Sequence, residues 1–386
     1  MKYDLAYSTF GKEEKKAIEE LVAEDQFTMG RHVAEFESQF AQKWGRKYAA
    51  MVNSGSSANL IAVAALFFRK DNPLKRGDEV IVPCISWATT FHPLQQYGLK
   101  CRFVDVDPLT LNINPDELAK ALTSRTRMVV AVSILGNPCD FRPITEFCRT
   151  HNLLLFEDNC ESMGAKYNGK YTGTFGHIST FSTFFSHHIS TMEGGVILTD
   201  DFELYCLCRS LRNHGWTRDQ PQDSPIFKKK PDDFFEAYRF ILPGYNVRPG
   251  EIHGLLGKVQ LKKLDGFIQK RRQNAEHFQN LFRSSLVFTI QHETGESSWF
   301  SFTFVLKPEY KEKRAEILSG LKAADINYRI ITGGCFLRHD AVQYFDYDIV
   351  SSNNAMYAHD YGFFIGNGPV DLRKNIDYVH KILSGY

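Results

Sequence analysis

The sequence predicts an α/β protein: a large domain on a mostly parallel mixed sheet, then a smaller α+β domain at the C-terminal end. Three observations carry this reading. From residue 48 onward short apolar runs alternate with helical stretches. Pro243-Gly244 then breaks the chain ahead of a long helical pattern, Glu251 to Phe282. Beyond that helix the alternation gives way to one clear strand and two further helices. The division falls between residues 1–245 and residues 246–386.

The elements follow in order. Ala17, Ile18, Leu21 and Val22 share one face of a surface helix, Glu14 to Ala23. Thr28-Met29-Gly30 breaks it, and Val33, Phe36, Phe40 and Trp44 mark a second helix. The strand candidates are Tyr48–Val52, Glu79–Pro83, Arg102–Val106, Met128–Ser133, Leu153–Glu157, Ile178–Ser182 and Val196–Thr199. Helical stretches such as Ala58–Phe67 and Pro143–Thr150 lie between several of them, which argues for parallel strands with helices on both faces. The seventh strand is expected to be an antiparallel or edge addition. Residues 216–240 are irregular and charged, a solvated loop. After the long helix come a strand at Trp299–Val305, a helix from Lys311 to Ala324 and a terminal helix at Leu372–Leu383.

A chain of 386 residues can bury two sizeable cores. With 43% hydrophobic and 24% charged residues it has the composition of a soluble globular protein. A net charge of +1 gives no reason to expect nucleic acid or an anionic membrane as partner. The start MKYDLAYSTFGKEEKKAIEE holds no apolar run of signal-peptide length, so a cytoplasmic location is the expectation. The eight cysteines are scattered without a CxxC pair, as in a protein whose thiols stay reduced, and no metal site is expected from them.

Several segments could carry chemistry. Asn53-Ser54-Gly55-Ser56-Ser57 follows a strand and opens a helix, where backbone N–H groups can cradle a phosphate. The same pattern also fits a plain serine cap. Asp158 ends an apolar strand in Phe156-Glu157-Asp158-Asn159-Cys160-Glu161, the edge where ligands of parallel sheets sit. Its plainer role is to cap the next helix, and Glu161 could simply be solvated. Trp87, after another strand, either stacks on a flat ligand or belongs to the core. Ser182 could donate to phosphate, and Asn246 and Arg248 could reach phosphate or substrate or merely shape an interdomain turn. Residues Phe181 to Gly195 read FSTFFSHHISTMEGG, with an adjacent histidine pair.

In this order the segments resemble the pyridoxal phosphate (PLP)-dependent aminotransferases and dehydratases that modify nucleotide-linked keto sugars. The likeness covers nearly the whole chain and implies an aspartate-aminotransferase-like fold (PLP fold type I). One position departs from the family pattern. Five residues after Ser182, where the family carries the lysine that ties down the cofactor, stands His187. Imidazole cannot form that tie, yet it moves protons well near neutral pH. The His-His pair before Met192-Glu193-Gly194-Gly195 is similar to that of family members that deoxygenate a GDP-linked 4-keto-6-deoxy sugar at carbon 3.

The resemblance implies roles for individual residues. Gly55, Ser56 and Ser182 would hold the phosphate, with Asn246 reaching in from a partner subunit of a homodimer. Trp87 would stack on the ring, Asp158 would pair with its nitrogen, and Glu161 stands where family aminotransferases usually carry glutamine. His187 would be the acid–base catalyst. His188, His214, Arg248 and Arg329 would lie near the substrate. L-glutamate would convert PLP to pyridoxamine phosphate (PMP), the sugar would lose its 3-hydroxyl, and ammonia would leave. A 4-aminotransferase, an iron–sulfur dehydrase with a reductase partner, or a non-catalytic member of the fold would be the alternatives.

Overall fold

The computed structural model describes residues 2–386. An eight-stranded sheet runs in the order Tyr48–Val52, Gly195–Thr199, Ile178–Ser182, Leu154–Asp158, Thr126–Val132, Glu79–Pro83, Lys100–Val104 and Tyr347–Ile349. Gly195–Thr199 pairs antiparallel with both neighbours, while the pairs from Ile178–Ser182 outward to Tyr347–Ile349 are all parallel. The expected antiparallel strand is therefore present, but it lies inside the sheet, with Tyr48–Val52 as the edge. A second sheet of four antiparallel strands joins Phe288–Thr289, Ser301–Leu306, Gly362–Gly366 and Tyr328–Arg329.

Helix Gly55–Phe68 is apolar on every side, and from Ala58 to Leu66 all residues but Leu60 are buried. A helix apolar all round must be enclosed. It lies under the sheet and against helix Phe202–Arg212. The helix Glu251–Phe282 spans 32 residues and packs along Arg31–Trp44. Two glycines allow the close approach: a Cβ on Gly254 would sit 2.4 Å from the Val33 nitrogen, and one on Gly257 would sit 2.7 Å from the Phe36 ring. Glu251, at the start of the long helix, accepts hydrogen bonds from the N–H groups of Gly30, His32 and Val33. A carboxylate there complements the partial positive charge of the other helix's start.

Some expected elements shift. The strand expected at Arg102–Val106 runs from Lys100 to Val104. Asp105 leaves the ladder because its carboxylate caps a helix, accepting from Asn354 N and Ala355 N, each at 2.8 Å. The strand expected from Trp299 begins at Ser301, since Trp299 adopts a left-handed φ of 48°. The helix expected over Lys311–Ala324 is regular only across Arg314–Ala323. Helix Asn353–Tyr361 and strands Gly362–Gly366 and Tyr347–Ile349 were not anticipated. No helix among the described residues is long and apolar enough to cross a membrane.

Candidate active site

A cavity of about 480 Å³ opens at the carboxyl ends of the parallel strands. Asp158 and Ser182 are the last residues of their strands, and Ser86 and Trp87 follow a third. This is the edge at which α/β sheets place ligands. Ser54 caps helix Gly55–Phe68, its hydroxyl accepting from Ser57 N at 3.1 Å. The N–H groups of Gly55 and Ser56, both in the cavity wall, are left as the free donors of the first turn. Gly55 is required by contact: a Cβ there would meet Ser182 Cβ at 2.7 Å and Cys160 Sγ at 3.1 Å. Ser182 lines the same corner.

Asp158 is only 4% exposed, yet it lines the cavity. Its carboxylate is aimed by three donors: Thr90 Oγ1 at 2.7 Å, Asn59 Nδ2 at 2.9 Å and Cys160 N at 3.1 Å. Asn59 is held in turn by Thr180 Oγ1 at 2.6 Å. Such a shell fixes a buried carboxylate in one orientation. Trp87 is 56% exposed and lines the cavity, so it is no core tryptophan.

His187 enters the cavity from the loop after Ser182, half-buried beside Phe300 at 5.1 Å between ring centroids. Its Nδ1 lies 2.7 Å from the Cys160 carbonyl oxygen. A carbonyl only accepts, so Nδ1 carries the proton and Nε2 keeps its lone pair. Burial pushes the imidazole down to about 4; the Cys160 bond opposes this, Arg271 adds to it, and Asp158 opposes it. The ring is a neutral base at physiological pH. The cavity wall holds no lysine.

Glu161 Oε2 accepts from Leu135 N at 2.9 Å and from Thr332 Oγ1 at 3.1 Å. Burial first, and Asp158 in addition, raise this carboxyl to about 7, against those two hydrogen bonds. Arg329, Thr332 and Phe364 of the C-terminal part line the cavity, as do Leu5 and Ala6 near the N-terminus.

Four expected site residues stand elsewhere. His188 is a correction: it is 0% exposed and outside the cavity, with Nε2 3.3 Å from the Ser298 carbonyl. Successive side chains of the loop diverge, so facing His187 inward turns His188 into the core. Burial, then Arg271 and His187, hold its pKa well below the ordinary value. Asn246, His214 and Arg248 are exposed and do not line the cavity. They share one surface patch: Asn213 bridges Asn246, His214 N donates to Tyr245 O at 2.7 Å, and Arg248 Nε donates to Asn246 Oδ1 at 3.2 Å. Asn59 and Thr90 were not singled out from the sequence. The one signal was an asparagine inside an otherwise apolar helix.

The chain is 48% identical to GDP-4-keto-6-deoxy-D-mannose 3-dehydratase of Escherichia coli O55:H7, over 99% of both chains. It is 49% identical to the protein of that name from Yersinia pseudotuberculosis, over 99% of this chain and 98% of the relative. A crystal structure of GDP-4-keto-6-deoxymannose-3-dehydratase with a trapped PLP-glutamate geminal diamine superposes with a TM-score of 0.97 at 48% identity, covering 99% of this chain and 100% of that one. The family model for DegT/DnrJ/EryC1/StrS aminotransferases matches residues 8–360, and this chain belongs to that family.

Proposed function

We propose that this protein removes the 3-hydroxyl of GDP-4-keto-6-deoxy-D-mannose, with PLP/PMP as cofactor, L-glutamate as amino donor and ammonia as a product. Both relatives carry that substrate in their names, and the solved relative holds PLP joined to glutamate. The residues fit the cofactor. The contact at Gly55 keeps open a corner that a Cβ would fill, beside two free N–H donors and Ser182. Asp158 supplies a fixed negative charge for a protonated ring nitrogen. In this reading Trp87 lies against the ring and Glu161 meets its oxygen or the substrate.

The bound cofactor supplies an electron sink next to sugar carbon 4. His187 then takes a proton at Nε2 and, once charged, returns one to the departing hydroxyl at carbon 3. Glutamate provides the two electrons that the deoxygenation consumes. The observation that carries this reading is a base with a free Nε2 in a cavity wall without lysine. A lysine would tether the cofactor and return its proton to carbon 4, giving an amino sugar.

The test is incubation with PLP, glutamate and GDP-4-keto-6-deoxymannose, followed by mass spectrometry of the sugar and an ammonia assay. A product lacking one oxygen, formed with ammonia, is expected. A stable amino sugar would instead make the protein a 4-aminotransferase, and no turnover with any keto sugar would make it a non-catalytic member of the fold. The deoxygenated product is a precursor for colitose in surface polysaccharide.

Asn246, His214 and Arg248 complete the neighbouring subunit's site in a homodimer. Support comes from their shared exposed patch, which lies outside the chain's own cavity.

A further inference from the structure

Arg271 sits in the middle of the long helix and is 1% exposed. Burying a guanidinium is costly unless a counter-charge accompanies it. The other fully buried arginine, Arg212, has one in Glu37. Arg271 forms no ion pair among the described residues, and its Nε has no hydrogen-bond partner. Instead Nη1 donates to three carbonyls: Asn367 at 2.9 Å, Phe300 at 3.1 Å and Trp299 at 3.5 Å.

Two of those carbonyls belong to a turn that carries a wall of the active site. Trp299 is held at its left-handed φ of 48°, a costly conformation for an aromatic residue. Asn367 Nδ2 grips the Trp299 carbonyl at 2.9 Å from the other side. Phe300 projects its ring into the cavity, 5.1 Å from the His187 ring and 5.7 Å from the His188 ring. Phe300 N also donates to Leu135 O at 3.0 Å, and Leu135 N to Glu161. The Arg271 charge opposes protonation of both histidines.

We propose that Arg271 is a positioning residue for the reaction: an unneutralised buried cation that, through its grip on three carbonyls, seats the Trp299–Phe300 turn against His187. The proposal rests on His187 being the base. The titratable groups that share the cavity with His187 are Asp158, Glu161, Glu193, the Cys160 thiol and Arg329, while Arg271 and His188 do not line it. Burial and Arg271 disfavour the charged ring while the Cys160 bond and Asp158 favour it, so losing the Arg271 charge shifts the balance toward the charged ring.

Two substitutions separate the charge from the three-carbonyl grip. Arg271→Gln keeps a donor and removes the charge. The His187 imidazole titration, followed by NMR in the cofactor-free protein and assigned by its loss in His187→Asn, should then move up by about half a pH unit or more. The acid limb of kcat/KM should move with it. Arg271→Lys keeps the charge and loses the fork, so the limb should stay while kcat falls about tenfold at unchanged KM. A purely structural Arg271 would lower the melting temperature of the glutamine variant and leave the titration and the limb in place, which overturns the proposal. Should the glutamine variant not fold, an Arg271→Lys enzyme with wild-type kcat overturns it equally. Activity retained in His187→Asn would defeat the base assignment itself; an inactive His187→Asn with an unmoved titration in Arg271→Gln would defeat only the role of Arg271.

Discussion

Thr332 donates its hydroxyl hydrogen to Oε2 of Glu161 at 3.1 Å, joining a loop of the C-terminal part to the floor of the cavity. Leu135 N occupies the same oxygen at 2.9 Å. With Oε2 committed to accepting, a proton on this carboxyl belongs on Oε1, where it can be donated. A protonated Glu161 then presents a hydrogen-bond donor to the cavity.

The pH dependence of stability follows from this. The folded carboxyl is raised from 4.5 to about 7, chiefly by burial. Its favourable contribution is complete below about 4.5 and is lost as pH rises through about 7. In urea titrations of the cofactor-free protein, the Glu161→Gln variant should gain about 1–2 kcal/mol on the wild type between pH 4.5 and pH 8. That figure is below the full conversion of the shift because the carboxyl opens onto a solvent-filled cavity. Equal stability across that range would sink the idea of a neutral Glu161.

His187→Asn keeps a similar shape and removes the base. Turnover should drop by a factor of about 10²–10⁴. PLP binding, followed by the change in cofactor absorbance, should be nearly unchanged, because no covalent tie is lost. A variant that retains wild-type turnover would leave the reaction without its base.

Gly55→Ala tests the phosphate corner. The added methyl would meet Ser182 Cβ at 2.7 Å and Cys160 Sγ at 3.1 Å. Overpacking should cost about 1–3 kcal/mol of stability. PLP affinity should fall with it, measured by titration of the folded variant. Unaltered affinity would move the phosphate elsewhere.

Thr90→Val removes one of the donors that aim Asp158. The cost should be about 1.5–3 kcal/mol, the range for hydrogen bonds to charged groups. It should appear as weaker PLP binding and a lower kcat. Full activity would mean that Asn59 and Cys160 N suffice to hold the carboxylate.

Sharing of sites between subunits can be read by complementation. His187→Asn and Asn246→Ala homodimers should each be nearly inactive. Random exchange of their subunits should restore roughly a quarter of the wild-type sites, because half of the dimers then hold one intact site. No recovery after exchange would confine each site to a single chain.

Much of the large sheet was legible because its strands are buried on both faces and read as continuous apolar runs, as in Glu79–Pro83 and Ile178–Ser182. The long helix was legible at both ends. Two of the missed elements bury little. Tyr347–Ile349 has no fully buried residue, and Asn353–Tyr361 buries only Ala355 and Ala358. In the site, residues at strand ends stood out: Asp158, Ser182 and Trp87 all line the cavity. The direction of His188 was hidden, since it depends on loop backbone rather than on residue type. The approach of Leu5 and Ala6 was hidden too, because it depends on where the N-terminal segment docks: Tyr3 donates its hydroxyl to Gly366 O at 2.8 Å.

The outermost parallel strand, Tyr347–Ile349, pairs with Lys100–Val104 across a separation of 246 residues, where Arg102 meets Asp348 at 2.6 Å. During synthesis the earlier strand therefore waits on the ribosome with its rim bare until almost the entire polypeptide has emerged. A nascent or truncated chain ending before that late segment would present an open β-edge to other molecules, which invites aggregation. Ribosome stalling or proteolytic clipping beyond the long helix would thus threaten solubility as much as catalysis.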